Sequence, residues 1–199
     1  MMAKDVFLDT DLSKIDSCCW ELLFKGVTSY KNPFHYGVFI SQSDSFPEAR
    51  TVIVRSVDPV HKIISFNTDI RSPKFRQIQN NPNTSWLFYD PDLRMQLRGK
   101  AIATLHTNDE IEDVGWRQAR LNCKITYTAP FAPGSNMDAP YLLDLNRTDV
   151  ADDELAVARK NFAIVQTKII SMDWVFLHYK GNRRAFFDYQ KQTQTWMQT

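Results

Sequence analysis

Residues 49–74 read ARTVIVRSVDPVHKIISFNTDIRSPK, and this stretch decides the fold. It divides into two β-strands and a basic turn. Ala49 to Val57 alternates with period 2, the mark of a half-buried strand. Arg50, Val52 and Val54 then share one face, and Thr51, Ile53 and Arg55 the other. Asp58-Pro59 turns the chain. Lys62 to Asn67 is a second strand that stops at Thr68-Asp69. Arg71-Ser72-Pro73-Lys74 then opens a helix, with Ser72 at the N-cap and Pro73 in the first turn. A guanidinium, an ammonium, a hydroxyl and free backbone N–H groups converge there. Such a set binds anions and suits a phosphate. Arg50 and Arg55 cannot serve one anion from one strand face, so two anion sites, or an edge and a face, are expected.

Outward from this segment the pattern continues. Asp11 or Ser13 caps a first helix, in which Ile15, Cys18, Cys19, Leu22 and Leu23 form one apolar stripe. Tyr36 to Ser41 is a short strand. Pro73 to about Asn80 is a helix anchored by Phe75 and Ile78, and Asn81-Pro82-Asn83 ends it. Strands come next at Thr84 to Tyr89 and Met95 to Leu105. Thr107-Asn108-Asp109-Glu110 reads as a capping box whose helix turns Ile111, Val114 and Gly115 inward. Residues 128–149 are Pro-rich and irregular, long enough to suggest a lid or a mobile segment. Asp152 to Lys160 is a helix. Phe162 to Ser171, Asp173 to Tyr179 and Arg183 to Tyr189 are strands. The expected fold is mainly β with peripheral helices (α+β): six to eight antiparallel strands, consistent with a closed barrel, in one domain spanning 1–199.

Composition narrows the function. Among 199 residues, 24 Lys+Arg face 23 Asp+Glu, so no global field recruits nucleic acid and anion binding must be local. The odd set Cys18, Cys19 and Cys123 has no metal or redox spacing and fits a reducing, cytoplasmic setting. The start, MMAKDVFLDTD, holds no apolar signal core, and no stretch has the length of a membrane-spanning helix, so no membrane partner is expected. His35, His61, His106 and His178 fall in four different elements, which leaves no metal site. Aromatic residues make up 13% of the chain. They suit a β-core, a slot for a planar ligand or an interface between subunits.

The ordered set Arg50-Thr-Val-Ile-Val-Arg55, Phe66-Asn67-Thr68-Asp69, Arg71-Ser72-Pro73-Lys74, Asn81-Pro82-Asn83, Leu87-Phe88-Tyr89 and Gln96-Leu97-Arg98-Gly99 resembles the pyridoxamine 5'-phosphate oxidase family of FMN-binding split β-barrels. The resemblance implies FMN as cofactor. Arg50 and Lys74, with Arg71 and Ser72 nearby, would hold its phosphate. Strand backbone at Val52, Ile53, Asn67 and Thr68 would meet the flavin edge, and Gln96 would contact the ring. It also implies a substrate clamp. Arg55 keeps the clamp's first charge and Arg120 its arginine, but Trp116 stands where the family has a tyrosine and Lys124 where it has a serine. Arg183 matches a late arginine, whereas Ala185 replaces the histidine two residues on.

The activity that the resemblance implies is that of an FMN-dependent oxidase like pyridoxamine 5'-phosphate oxidase. Hydride would pass from a small substrate, with a phosphorylated B6 vitamer as one candidate, to flavin N5, with oxygen as acceptor. The alternatives are a non-catalytic FMN-binding protein and a flavin reductase-like enzyme acting on another substrate. The resemblance further implies a homodimer with FMN at the subunit interface. Trp86, Phe88 and Tyr89 cannot all face one core, which leaves apolar surface for a partner.

Overall fold

The sheet is organised by aromatic side chains that alternate along its strands. In the computed structural model, which describes residues 3–199, the chain runs α1 (Ala3–Val6), α2 (Leu12–Gly26), β1 (Tyr36–Gln42), β2 (Pro47–Ile53), β3 (Ser56–Asp58) and β4 (Ile63–Asp69). It continues α3 (Pro73–Asn80), β5 (Asn83–Asp90), β6 (Met95–His106), α4 (Glu110–Gln118), α5 (Leu121–Ile125), α6 (Asp152–Asn161), β7 (Phe162–Phe176), β8 (Arg183–Asp188) and β9 (Thr193–Met197). All nine strands join one antiparallel sheet, in the order β2-β1-β5-β6-β7-β4-β3, with β8 and β9 added beside β7. Met1 and Met2 of the expected domain lie outside the described residues.

Phe39, Phe66, Trp86 and Phe88 point to the inside of the curled sheet, with Trp86 stacked on Phe88 at 5.3 Å. The Trp86 indole N–H donates to Thr167 Oγ1 at 3.0 Å, which in turn donates to the Ile64 carbonyl at 2.7 Å. The Trp86 ring, though deeply buried, therefore carries no unpaired donor. Gly37 lies under this pair: a Cβ there would stand 2.6 Å from both rings. On β5, Trp86 and Phe88 face inward, while Leu87 and Tyr89 face out.

α2 closes the barrel. Asp11 is its N-cap and accepts from Ser13 N, and Ile15, Cys19, Trp20 and Leu23 are buried. A latch fixes it: Tyr189 Oη donates to Asp16 at 2.5 Å and accepts from Trp20 Nε1 at 2.8 Å, while Lys62 Nζ reaches Asp16 at 3.1 Å. Burial and the Asp16 carboxylate push the Tyr189 phenol far above its ordinary pKa, so it is a permanent donor.

The structure corrects several expectations. The strand expected over 49–57 is two strands. Val54 N donates to His35 O and Arg55 N to Ser65 O, so the chain changes partner from β1 to β4 between them. The two strands expected over 162–179 are one, because β7 pairs with β6 along nearly its whole length. The cap of α4 is Asp109, whose carboxylate accepts from Glu112 N, and not Thr107. That register buries Glu112 and Trp116 and leaves Ile111 and Val114 each 38% exposed. Phe75 is only half-buried. α5 and β9 were not anticipated: α5 is a single short turn after Arg120, and all five β9 residues are exposed, so neither has a buried stripe to reveal it.

The barrel is split. β2 and β4 approach one another without forming a ladder, since β3 takes the pairing edge of β4 only as far as Ser65. The edges of β2 near Val52 and Ile53 and of β4 near Asn67 and Thr68 flank the gap.

Candidate functional site

One wall of the gap is a cationic cradle. Arg50 lies on the core-facing side of β2, with its guanidinium 6.0 Å over the Phe39 ring. Its Nη1 donates to Ser41 Oγ at 2.6 Å, and its Nη2 to Gln77 Oε1 and Glu48 Oε2, each at 3.1 Å. The Ser41 hydroxyl itself donates to Gln77 Oε1 at 2.6 Å. The guanidinium is thus braced by β1 and α3 before any ligand arrives. Lys74 Nζ approaches from the first turn of α3 and donates to Thr68 Oγ1 at 3.3 Å. Among the described residues no carboxylate pairs with it. Burial first, and the Arg50 charge second, hold the Lys74 ammonium below its ordinary pKa.

Ser72 takes the N-cap conformation, as its sequence context suggests, but its hydroxyl does not cap the helix. It donates instead to Asp69 O at 2.7 Å and lies 3.2 Å from Thr68 Oγ1. The first-turn N–H groups of α3 therefore lack a side-chain acceptor and stand beside two cations. Arg71 plays another part. It forms a two-pronged pair with Asp69 (Nε–Oδ1 3.0 Å, Nη2–Oδ2 2.7 Å) and donates to Ala129 O at 3.0 Å. Its charge is neutralised, and it anchors the start of the irregular 129–151 segment.

Gln96 is not brought to the cradle within this chain. It faces outward on β6, between Tyr89 and Val175. The same outer face carries the exposed Tyr89 and the Arg98–Asp173–Arg184 bridge, with distances of 2.6 and 2.7 Å.

On the outer side of β4 and β7, beneath α4 and α5, lies a cleft of about 750 Å³. Arg55 and Arg120 line it, and neither has a carboxylate partner among the described residues. Arg55 Nη2 lies 3.7 Å from Cys123 Sγ. Trp116 is buried against Phe162, with Lys124 Nζ 5.1 Å above its ring, so these two support the cleft wall rather than line it. Arg183 does not join the cleft in the protomer. It donates to the carbonyls of Phe7 (2.5 Å) and Asp9 (2.7 Å) and stacks on Trp196. Ser65, Gln166 and Cys123 also line the cleft and escaped sequence reasoning. The one available signal was Ser65 itself, a lone hydroxyl in the apolar run Ile63 to Phe66.

Residues 20–107 match the family model described as "Pyridoxamine 5'-phosphate oxidase, FMN-binding domain", a span that holds the whole cradle. Over those residues the chain is similar to the FMN-binding domain of that family. No curated protein matches it by sequence. Among solved structures, it is similar to a pyridoxamine 5'-phosphate oxidase-related, FMN-binding protein from Nostoc punctiforme PCC 73102. That pair has a TM-score of 0.69 at 18% identity, covering 91% of this chain and 96% of the other. PhzG from Burkholderia lata 383, solved with tetrahydrophenazine-1-carboxylic acid, gives a TM-score of 0.60 at 15% identity over 83% and 82% of the two chains. A general stress protein 26-related protein from Clostridium acetobutylicum gives 0.53 at 9% identity over 80% and 89%. At these identities the likeness is one of fold, the FMN-binding split barrel.

The residues of the cradle fit such a cofactor. Arg50 and Lys74 are two like charges, desolvated and held together with only one exposed-side carboxylate, Glu48, on Arg50 and none on Lys74. That arrangement is costly until a dianion such as a phosphate monoester enters.

Proposed function

We propose that this chain is an FMN-dependent oxidoreductase acting on a small anionic substrate, with pyridoxamine or pyridoxine 5'-phosphate as the first candidate. The observation that carries the reading is the Arg50–Lys74 pair at the α3 N-terminus, two cations that share the single carboxylate partner Glu48 among the described residues, beside a separate cleft whose two arginines have no carboxylate partner there. When bound, the flavin supplies a hydride acceptor at N5 that molecular oxygen can reoxidise. Arg50, Lys74 and the first-turn N–H groups hold the phosphate. The backbone edges of β2 and β4 across the split offer donors and acceptors to the flavin's pyrimidine edge. Arg55 and Arg120 draw in the substrate's anionic group. Ile111 and Val114 form an apolar wall that limits water around the reacting carbon. The protein's part is orientation and electrostatics, with no covalent bond to substrate.

A homodimer completes the site in this reading. Gln96 faces away from its own cradle, on the outer sheet face beside the exposed Tyr89 and the Arg98–Asp173–Arg184 bridge. A twofold partner would bring it to the other protomer's flavin. Cys18, Cys19 and Cys123 are all free thiols, in keeping with a cytoplasmic setting.

One observation favours the non-catalytic alternative. Arg183 is spent on the Phe7 and Asp9 carbonyls and Ala185 is fully buried, so the late part of the family's substrate clamp is absent from this chain's cleft.

The test is the visible spectrum of the purified protein through an FMN titration, followed by peroxide detection with pyridoxamine 5'-phosphate. A saturable two-band flavin spectrum with peroxide release supports the oxidase. Saturation without turnover of any B6 phosphate leaves the non-catalytic reading. No flavin binding removes both. Light scattering on the FMN-saturated protein should give twice the 23.2 kDa chain mass, and a monomer would sink the shared site.

A further inference from the structure

We propose that Ser65, Asn67 and Gln166 form a specificity floor for the 750 Å³ cleft, and that its ligand is an anionic ring bearing a hydrogen-bonding substituent. The inference rests on reading this cleft as the substrate site. It goes further by naming what the site demands beyond negative charge.

The geometry comes from the β4–β7 ladder. Ser65 and Asn67 lie two residues apart on the outer face of β4, and Ser65 pairs directly with Gln166 on β7. Ser65 is only 3% exposed, and its hydroxyl has no hydrogen-bond partner. A buried hydroxyl left unpaired is unfavourable, and a ligand that completes it accounts for its presence at the base of a cleft. The Asn67 and Gln166 side chains flank it and also have no hydrogen-bond partner among the described residues. Each amide offers both a donor and an acceptor, so the floor suits a neutral polar group, such as a phenol or a ring nitrogen, rather than a second charge.

The charge belongs at the rim. The Arg55 and Arg120 side chains are exposed and have no carboxylate partner among the described residues, and they match a phosphate or carboxylate on the same molecule. Ile111 and Val114 on α4 supply the apolar flank for a flat ring between rim and floor. Gly115 lets α4 sit close enough to form it, since a Cβ at that position would fall 2.2 Å from Ile164 Cδ1. A ring without polar substituents would satisfy the rim and leave the floor groups unpaired. That mismatch discriminates far more strongly than a missing methylene.

The experiment measures two probes against the FMN-loaded protein. 4-Deoxypyridoxine 5'-phosphate has the phosphate, the phenol and the ring nitrogen but no oxidisable 4'-alcohol. Phenyl phosphate has the same anion on a bare ring. The wild type should prefer the first by about tenfold or more, as one or two hydrogen bonds imply. Ser65→Ala and Gln166→Leu should each shrink that preference to about threefold or less, leaving phenyl phosphate and FMN affinity unchanged. Ser65→Ala should also keep or raise the melting temperature, because it deletes an unpaired buried hydroxyl. A lower melting temperature with the preference intact would assign Ser65 a structural role and overturn the proposal. Equal binding of both probes by the wild type would overturn the floor but keep the cleft as the substrate site. Binding of neither probe would remove the substrate reading and the floor together.

Discussion

The cradle and the cleft each present two cations, yet they are built in opposite ways. In the cradle, Arg50 is braced by Ser41 and Gln77, and Lys74 is desolvated beside it. In the cleft, Arg55 and Arg120 are exposed above a neutral polar floor, with only a 3.7 Å contact from Arg55 to Cys123 Sγ among the described residues. The first arrangement fixes an anion in one pose and binds it tightly, because the cost of ordering and desolvating the cations is met during folding. The second leaves its arginines free to adapt, as suits a substrate that must enter and leave. The proposed reading, a resident cofactor in one and a transient substrate in the other, asks for this difference.

Four outcomes would break or sharpen that contrast. The largest effect is expected from Arg50→Ala or Lys74→Ala, each weakening FMN binding by about 2 kcal/mol or more, since each leaves the ligand's phosphate short of a charge-assisted bond. Fluorescence titration measures it, and unchanged affinity in both variants would show that the phosphate sits elsewhere. Next comes Gly115→Ala, whose new methyl must displace the tip of Ile164. A stability loss of about 1 kcal/mol is expected, with altered probe binding in the cleft and unaltered FMN affinity. A parallel loss of FMN would show that the two regions are one unit.

The third concerns pH. Burial and Arg50 lower the Lys74 pKa in the free protein, and a bound phosphate raises it again. FMN binding therefore takes up a proton in the window between those two values. Affinity should be greatest below the lowered pKa and fall as pH climbs through the window toward the ligand-bound value. Lys74→Met should flatten that alkaline fall, and a flat profile in the wild type would remove Lys74 from the phosphate site. The smallest effect is a difference in salt response. Raising ionic strength from roughly 0.05 to 0.2 M should weaken binding of 4-deoxypyridoxine 5'-phosphate more than binding of FMN, because exposed arginines are screened and buried ones are not. The reverse order would mean that the cradle is the more open site.

The same contrast separates what short-range chemistry reveals from what it hides. The α3 boundaries and the facing of Arg50 with Val52 and Val54 were legible because strand period and helix-start chemistry act over a few residues, whereas the meeting of Arg50 with Lys74 near Ser72 was implied by the family resemblance. Arg71 was misjudged for an equally local reason: Asp69, two residues before it, captures its guanidinium. The break at Val54–Arg55 was invisible, since the partner exchange depends on His35 and Ser65, which arrive from other parts of the chain.

By itself, then, the sequence determined most of the strands and the starts of α2 and α3, as consequences of periodicity and short-range chemistry, while the split-barrel class and the pairing of Arg50 with Lys74 came from the ordered set of motifs and their resemblance to a family. Tertiary structure alone decided which polar groups stayed unpaired. Arg183 found the carbonyls of Phe7 and Asp9 at the opposite end of the chain, while Ser65, Asn67 and Gln166 met across a ladder and found nothing. Whether a side chain is satisfied depends on neighbours distant in sequence, and that is why the cations at the start of α3 could be read from the chain and the unpaired polar groups on β4 and β7 could not.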